Sequence, residues 1–270
     1  MGAPLIQLTR VRSVVTERSG FGVPAEITLN PYRGCAFGCS YCYARKFVHD
    51  DLRRRVDWGN WVEVKENAVD ALLRDSHKCF DKSVFVGSAT DPYQPSERSH
   101  RITRSLLEVL LRSFPRRVHI QTRSPFVVDD IPLLRAFGDR LTVGISIPTD
   151  SDIVRKAFEP RAPSIARRIA TAGALLDAGI HVEASIAPLL PCTPRRLAKL
   201  LSGKVNGAWV GSINFHGDEG NARGIYRTRG WESYLDPAHK VAVKQALADA
   251  GLIEKRDIRP MDDLESQHAR

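Results

Sequence analysis

Three of the five cysteines in this 270-residue chain lie within eight residues of one another, in the stretch NPYRGCAFGCSYCYARKF. Cys35, Cys39 and Cys42 give the spacing C-x3-C-x2-C. Thiolates gathered in this way hold metal. On zinc, three protein ligands leave a position open for catalysis, whereas a structural zinc takes four. On a cubane of four irons, three cysteines leave one iron without a protein ligand. His49 offers a fourth zinc ligand, but C-x3-C-x2-C-x6-H is not a common zinc spacing. An odd number of cysteines with three clustered does not suit a disulfide framework, and in a reducing compartment it points to a metal or cofactor.

Side chains converge on such a site only if the backbone delivers them, and the hydrophobic pattern says how. Short β-rich runs alternate with helical ones. Strands are expected at 25–30, 83–89, 117–123, 141–147, 181–188 and 207–214. Helices are expected at 66–77, 102–114, 129–137, 164–178, from Thr193 to about Gly203, and near 237–250. Thr193 reads as an N-cap with Pro194 at the first helical position. The strands carry near-continuous apolar runs suited to a parallel sheet buried on both faces. A complete or incomplete β/α barrel, or an open doubly wound sheet, fits this order. In both, ligands gather beyond the C-terminal strand ends. The polar groups fall there: the cysteines after the first strand, SATD after the second, TRS after the third, and SIPTD after the fourth. The expected organisation is an N-terminal extension over 1–24, the α/β unit over 25–215 and a C-terminal extension over 216–270.

Hydrophobic content of 43% and charged content of 26% are ordinary for a soluble globular protein. No apolar run is long enough to span a bilayer, so no membrane partner is expected. The N-terminus lacks the apolar core of a secretory signal, which points to the cytoplasm. The formal charge is +9, and arginine doublets recur, as at Arg116–Arg117, Arg167–Arg168 and Arg195–Arg196. Guanidinium forks suit phosphate, which makes nucleic acid or a phosphorylated metabolite a conceivable partner. The basic residues are scattered over many elements, so charge alone does not identify it.

The C-x3-C-x2-C motif, with aromatic Tyr41 before the last cysteine, resembles that of the radical S-adenosylmethionine (SAM) superfamily. The stretches LNPYRGCAFGCSYCYAR, ATDPYQPSER, QTRS, RKAFEPRAPS and LLDAGIHVEASIAPLLP resemble the spore photoproduct lyase-related branch in content and order, over roughly residues 25–190. The resemblance implies a partial (β/α)6 TIM-like barrel with a helical C-terminal extension. It implies a 4Fe-4S cluster on Cys35, Cys39 and Cys42, whose fourth iron is chelated by SAM. It further implies reductive cleavage of SAM to a 5′-deoxyadenosyl radical, with an electron donor such as flavodoxin or ferredoxin.

By the same resemblance, Tyr41 lies beside the adenine, and Ser88, Thr90 and Asp91 face the methionine amine. Arg123 stands where the branch commonly has lysine and could pair with the methionine carboxylate, while Ser146 could bond the ribose or carboxylate. Arg155, Glu159 and Arg161 either orient the site or form helix-end ion pairs, and the i,i+4 spacing of Arg155 and Glu159 favours the latter. One departure stands out. Spore photoproduct lyase returns a hydrogen atom from a cysteine after the second strand, and alignment on Asp91 puts Ser88 there. Cys192 is an alternative donor and Tyr93 a relay candidate, alongside Tyr32, Tyr43 and Tyr226; Cys79 reads as structural. A zinc- or iron–sulfur-stapled nucleic-acid-binding module without catalysis is the competing function. If nucleic acid binds, Arg223, Arg227 and Arg229 would meet phosphate, with Tyr226 and Trp231 stacking on bases.

Overall fold

The computed structural model describes residues 2–17, 25–49, 51–215 and 220–255. Ten strands follow in order: β1 (Leu5–Thr9), β2 (Val15–Glu17), β3 (Ile27–Leu29), β4 (Tyr32–Gly34), β5 (Trp61–Lys65), β6 (Ser83–Val86), β7 (Arg117–Thr122), β8 (Leu141–Ser146), β9 (His181–Ile186) and β10 (Gly207–Val210). Seven form the main sheet, in the order β10-β9-β8-β7-β6-β3-β2. All six strands expected from the sequence are in it, and every pairing among them is parallel. β2 adds an antiparallel edge on β3. The edges β10 and β2 are not hydrogen-bonded to each other. The architecture is therefore an open, mostly parallel α/β sheet, and the closure implied by a barrel is not made by strand pairing among the described residues.

Burial on both faces, the pattern expected for the strands, holds for the short β3 and for β8. β6, β7 and β9 alternate buried with half-buried residues. Their buried set, including Val84, Val118, Ile120, Val182 and Ala184, packs with Leu72, Leu106, Leu110, Leu175 and Leu197 from the helices in one large core. The other face carries Phe85, His119, Gln121, Glu183 and Ser185, all half-buried. Phe85 and His119 stack with centroids 4.8 Å apart. The sheet thus has one face in the core and one polar face less fully covered.

Helices cover Ala68–Asp75, Ile102–Arg112, Ile131–Arg135, Ile165–Asp177, Pro194–Leu201 and Pro237–Asp249, close to the expected spans. Ser164 caps Ile165–Asp177 by accepting from the Arg167 amide. Thr193 stands at the N-cap of Pro194–Leu201 in extended conformation, but its side chain makes no capping bond. Instead Asp150 Oδ1 accepts from the Thr193 amide at 3.1 Å.

A second sheet, ordered β1-β5-β4, lies outside the six expected strands. β1 runs parallel to β5 and β4 antiparallel to it. The segment expected to be a mere N-terminal extension therefore contributes a strand to each sheet. This second sheet also positions the cysteines: after β3 the chain joins it as β4 and delivers Gly34 directly into Cys35. Gly34 has φ +78°, and a Cβ there would stand 2.7 Å from the Trp61 carbonyl oxygen. Only glycine fits so close to β5 in that conformation.

The C-terminal extension adds an unforeseen helix, Ala222–Arg229, as well as the expected one. Ala222 and Tyr226 pack on Phe158 and Leu190, with Tyr41 at the edge of the same cluster. A Cβ on Gly220 would lie inside the Ser40 carbonyl group, so this segment lies directly against the cysteine loop.

Candidate active site

The cysteine loop is held by its own short turns and by what it presses on. The Gly38 amide donates to the Cys35 carbonyl and the Cys42 amide to the Cys39 carbonyl. Arg45 Nη2 donates to the Cys39 carbonyl at 2.9 Å. Cys35, Phe37 and Cys39 are buried with Trp58, Trp61 and Ala162, and Tyr41 and Cys42 pack against that group. Burial pushes the Cys35 thiol up to about 12 and raises those of Cys39 and Cys42 as well. Such thiols are protonated near neutral pH, and ligation would have to displace their protons.

Arg123, just past β7, reaches into this loop. Its side chain is 16% exposed. Nη1 lies 2.5 Å from Cys39 Sγ, 3.4 Å from the Tyr41 hydroxyl and 2.8 Å from Glu159 Oε1. Its amide donates to Asp91 Oδ2 at 2.9 Å. Burial opposes the charge on Arg123, but Cys39, Tyr41, Glu159 and Asp91 together raise its pKa well above the usual value. Glu159 is fully buried. It accepts from Arg123, from the Tyr41 hydroxyl and from Arg168 Nη2. Burial alone would raise its pKa, yet Arg168 and Arg123 hold it below the ordinary carboxylate range.

The other expected site residues take varied positions. Asp91 Oδ1 accepts from the Tyr93 amide and Thr122 Oγ1, so its carboxylate organises the turn after β6 and anchors the end of β7. Burial raises its pKa against the opposing pull of Arg123. Thr90 Oγ1 donates to the Gly34 carbonyl at 2.6 Å, tying the same turn to the cysteine loop. Ser88 Oγ accepts from Asn30 Nδ2, and Ser146 Oγ from Gln121 Nε2. All four are buried, and Asp91 is the one in direct contact with Arg123.

Two expected catalytic residues face elsewhere. The Tyr93 hydroxyl donates to Asp130 Oδ2 at 3.0 Å, beside a cavity also lined by Glu97 and Arg104. Cys192 Sγ lies 3.6 Å from His239 Nε2 on the last helix, and burial raises its thiol to about 12. Cys79 is fully buried in the main core. Tyr32 donates to Glu97 and Tyr43 to the Ser88 carbonyl. Tyr226 is buried against Phe158, and Trp231 stacks on Phe158 at 6.0 Å. Tyr226 therefore cannot stack on bases, because its ring is already in the core.

The expected Arg155–Glu159 ion pair is not made. Arg155 Nε pairs with Asp152 at 2.6 Å and its Nη1 donates to the carbonyls of Glu159 and Ala162. The Glu159 carboxylate turns instead to Arg123 and Arg168. Arg161 reaches the Gly59 carbonyl and Asn60 Oδ1, bracing the loop beneath the cysteines. Arg168, expected only as half of a basic doublet suited to phosphate, is instead fully buried, at a core-facing position three residues after Ile165 and four before Ala172. An arginine within an apolar stripe was the available signal.

Among the described residues no three His, Cys, Asp or Glu side chains converge as the ligand sphere of one metal ion. His49 instead stands edge-on to Phe47, 6.3 Å between centroids. A single zinc with His49 as fourth ligand is not assembled here. Ser40 Oγ, Trp58 Nε1 and Arg123 Nε are buried without a hydrogen-bond partner. Native interiors rarely leave such donors unsatisfied. Three thiols each bound to a separate iron, with donors left for cluster sulfide or a cofactor carboxylate, fit this arrangement.

Residues 29–201, well over half the chain, match the radical SAM superfamily model, and the chain belongs to that superfamily. The family uses a 4Fe-4S cluster and SAM. A relative from Methanocaldococcus jannaschii is an uncharacterized protein, 32% identical over 62% of this chain and 61% of its own length. An uncharacterized protein of Mycobacterium tuberculosis is 28% identical over 83% of this chain and 66% of its own. This chain thus spans under two thirds of the length of these relatives. Solved structures of spore photoproduct lyase share the fold. A tyrosine-to-phenylalanine variant superposes with a TM-score of 0.64 at 14% identity, over 91% of this chain and 78% of that one. The lyase complexed with dinucleoside spore photoproduct gives 0.59 at 17%, over 76% and 60%. No described helix is long and apolar enough to cross a membrane.

Proposed function

We propose that this chain is an enzyme that reductively cleaves SAM and uses the resulting radical to take a hydrogen atom from an anionic substrate. The observation that carries the reading is the guanidinium of Arg123 set against Cys39, in a wall of buried thiols with unsatisfied donors. Cys35, Cys39 and Cys42 would hold the cluster. When bound, the cluster supplies one electron to the sulfonium of SAM, releasing methionine and the 5′-deoxyadenosyl radical. The chain's own residues bind, orient and exclude water. Arg123 Nε is a buried donor without a hydrogen bond, 3.8 Å from Asp91 Oδ2, and would turn to the methionine carboxylate. The oxygens of Ser88, Thr90 and Asp91 are the acceptors assigned to its amine, and Tyr41 and Ser146 flank the adenosine. Electron supply by a flavodoxin or ferredoxin belongs to the same reading.

Anaerobically reconstituted protein, reduced with dithionite in the presence of SAM, should yield 5′-deoxyadenosine by chromatography, even slowly and without substrate. Its absence from a fully loaded protein would contradict the enzyme reading. Asp91→Asn keeps the acceptor for Tyr93 and Thr122 but removes the charge and the acceptor for the Arg123 amide. It should retain the cluster and bind SAM roughly 10- to 100-fold more weakly, as expected for one charged hydrogen bond.

For the substrate, Ser88 speaks against dimer repair by the lyase's thiol route, because a serine O–H bond is too strong to return a hydrogen atom to a carbon radical. Cys192 and Tyr93 stand as hydrogen-relay candidates only if their partners His239 and Asp130 release them. Arg223, Arg227 and Arg229 are exposed on the helix beside the cysteine loop, which favours a phosphate-bearing substrate. If it is nucleic acid, binding should weaken steeply with salt. An Arg223/Arg227/Arg229→Ala triple variant should flatten the log–log salt slope by up to about 3. Undetectable binding of single- and double-stranded DNA at low salt would leave a small anionic metabolite.

A further inference from the structure

Glu159 and Arg168 form a fully buried ion pair in which the carboxylate faces two arginines at once. Such a pair costs several kcal/mol in desolvation and is weak evidence for stability in itself. Its geometry does something more specific. Arg168 is fixed from both sides, since Nε donates to the Pro163 carbonyl and Nη1 to the Ser146 carbonyl. It therefore clamps Glu159 Oε2. Glu159 Oε1 is then left to receive Arg123 Nη1 at 2.8 Å and the Tyr41 hydroxyl. The same Nη1 lies against Cys39 Sγ. Arg123 is thus aimed at one thiol in particular, and its backbone amide is tied to Asp91 so that the aim is held.

Taking up an electron makes an iron–sulfur cluster more negative. A buried cation at one of its sulfur ligands stabilises the reduced form and raises the reduction potential, and a buried anion does the reverse. Arg123 and Arg168 are balanced in formal charge by Glu159 and by Asp91, whose Oδ2 lies 3.8 Å from Arg123 Nε, but the group that touches Cys39 is the cation. Resting on the radical SAM reading above, we infer that Arg123 sets the reduction potential of the cluster through Cys39, and that Glu159, clamped by Arg168, is the positioning residue that holds it there. The arginine then does more than bind cofactor: its charge bears on how readily SAM can be reduced.

The test is a redox titration of the reconstituted holoprotein, followed by the electron paramagnetic resonance of the reduced cluster, alongside iron and sulfide content. Arg123→Gln should load a full cluster whose midpoint is more negative than that of the wild type. Glu159→Gln removes one negative charge, leaving Arg168 uncompensated and Arg123 facing Asp91 alone, and should shift the midpoint the other way. Arg123→Lys keeps the charge and should restore a midpoint near that of the wild type. A purely packing role would not move the midpoint in opposite directions with the sign of the charge removed. Loaded variants with unshifted midpoints, or loss of the cluster in both Arg123→Gln and Arg123→Lys, would overturn this inference alone. A wild type that takes up no iron would overturn the enzyme reading and this inference with it.

Discussion

Alanine at Cys35, Cys39 or Cys42 should each reduce iron and sulfide to background after anaerobic reconstitution, and SAM cleavage with them. Each thiol would carry a separate iron, so none can stand in for another. Cys79→Ala is the matched control. Its sulfur is as deeply buried, but in the helix-packed core, so the substitution should cost roughly 1 kcal/mol of stability and leave iron content unchanged. Full iron in Cys39→Ala, or iron lost from a folded Cys79→Ala, would show that the ligand set is wrong.

The next largest effect should come from Glu159. Removing one partner of a buried, hydrogen-bonded ion pair leaves the other charge uncompensated, at about 3–5 kcal/mol. Glu159→Ala strands Arg168, which is itself fully buried, and also unties Arg123 and Tyr41. The urea midpoint of the metal-free protein should fall accordingly. Glu159→Gln should lose less, because the amide oxygen still accepts from a guanidinium. An alanine variant as stable as the wild type would mean that the network is not formed in solution.

The main sheet was readable because its strands are short apolar-rich runs, most of them followed by a helix of clear period. β6, β7, β8 and β9 and the helix Ile165–Asp177 lie almost where the pattern put them. The second sheet was not, although LIQLT and WVEVK both have strand-like composition. Pairing Leu5 with Trp61, or Tyr32 with Val64, depends on contacts across tens of residues that no local pattern encodes. The cysteine cluster stood out by its spacing, while its reading as an iron–sulfur ligand set came with the family resemblance. Glu159 was legible as a residue but not as a role: its i,i+4 spacing suggested Arg155, while burial turned its carboxylate toward Arg168 and Arg123. Tyr226 shows the opposite failure. Flanked by arginines it looked like a surface aromatic, yet helix Ala222–Arg229 turns it inward and leaves the arginines outside.

The electron paramagnetic resonance spectrum of the reduced, reconstituted protein, recorded with and without SAM, bears most directly on the central claim. A cluster held by Cys35, Cys39 and Cys42 would leave one iron for the amino and carboxylate groups of SAM. A 4Fe-4S signal whose g-values shift when SAM is added is the expected result. A colourless protein carrying zinc, or an iron–sulfur signal that SAM leaves unchanged, would contradict it.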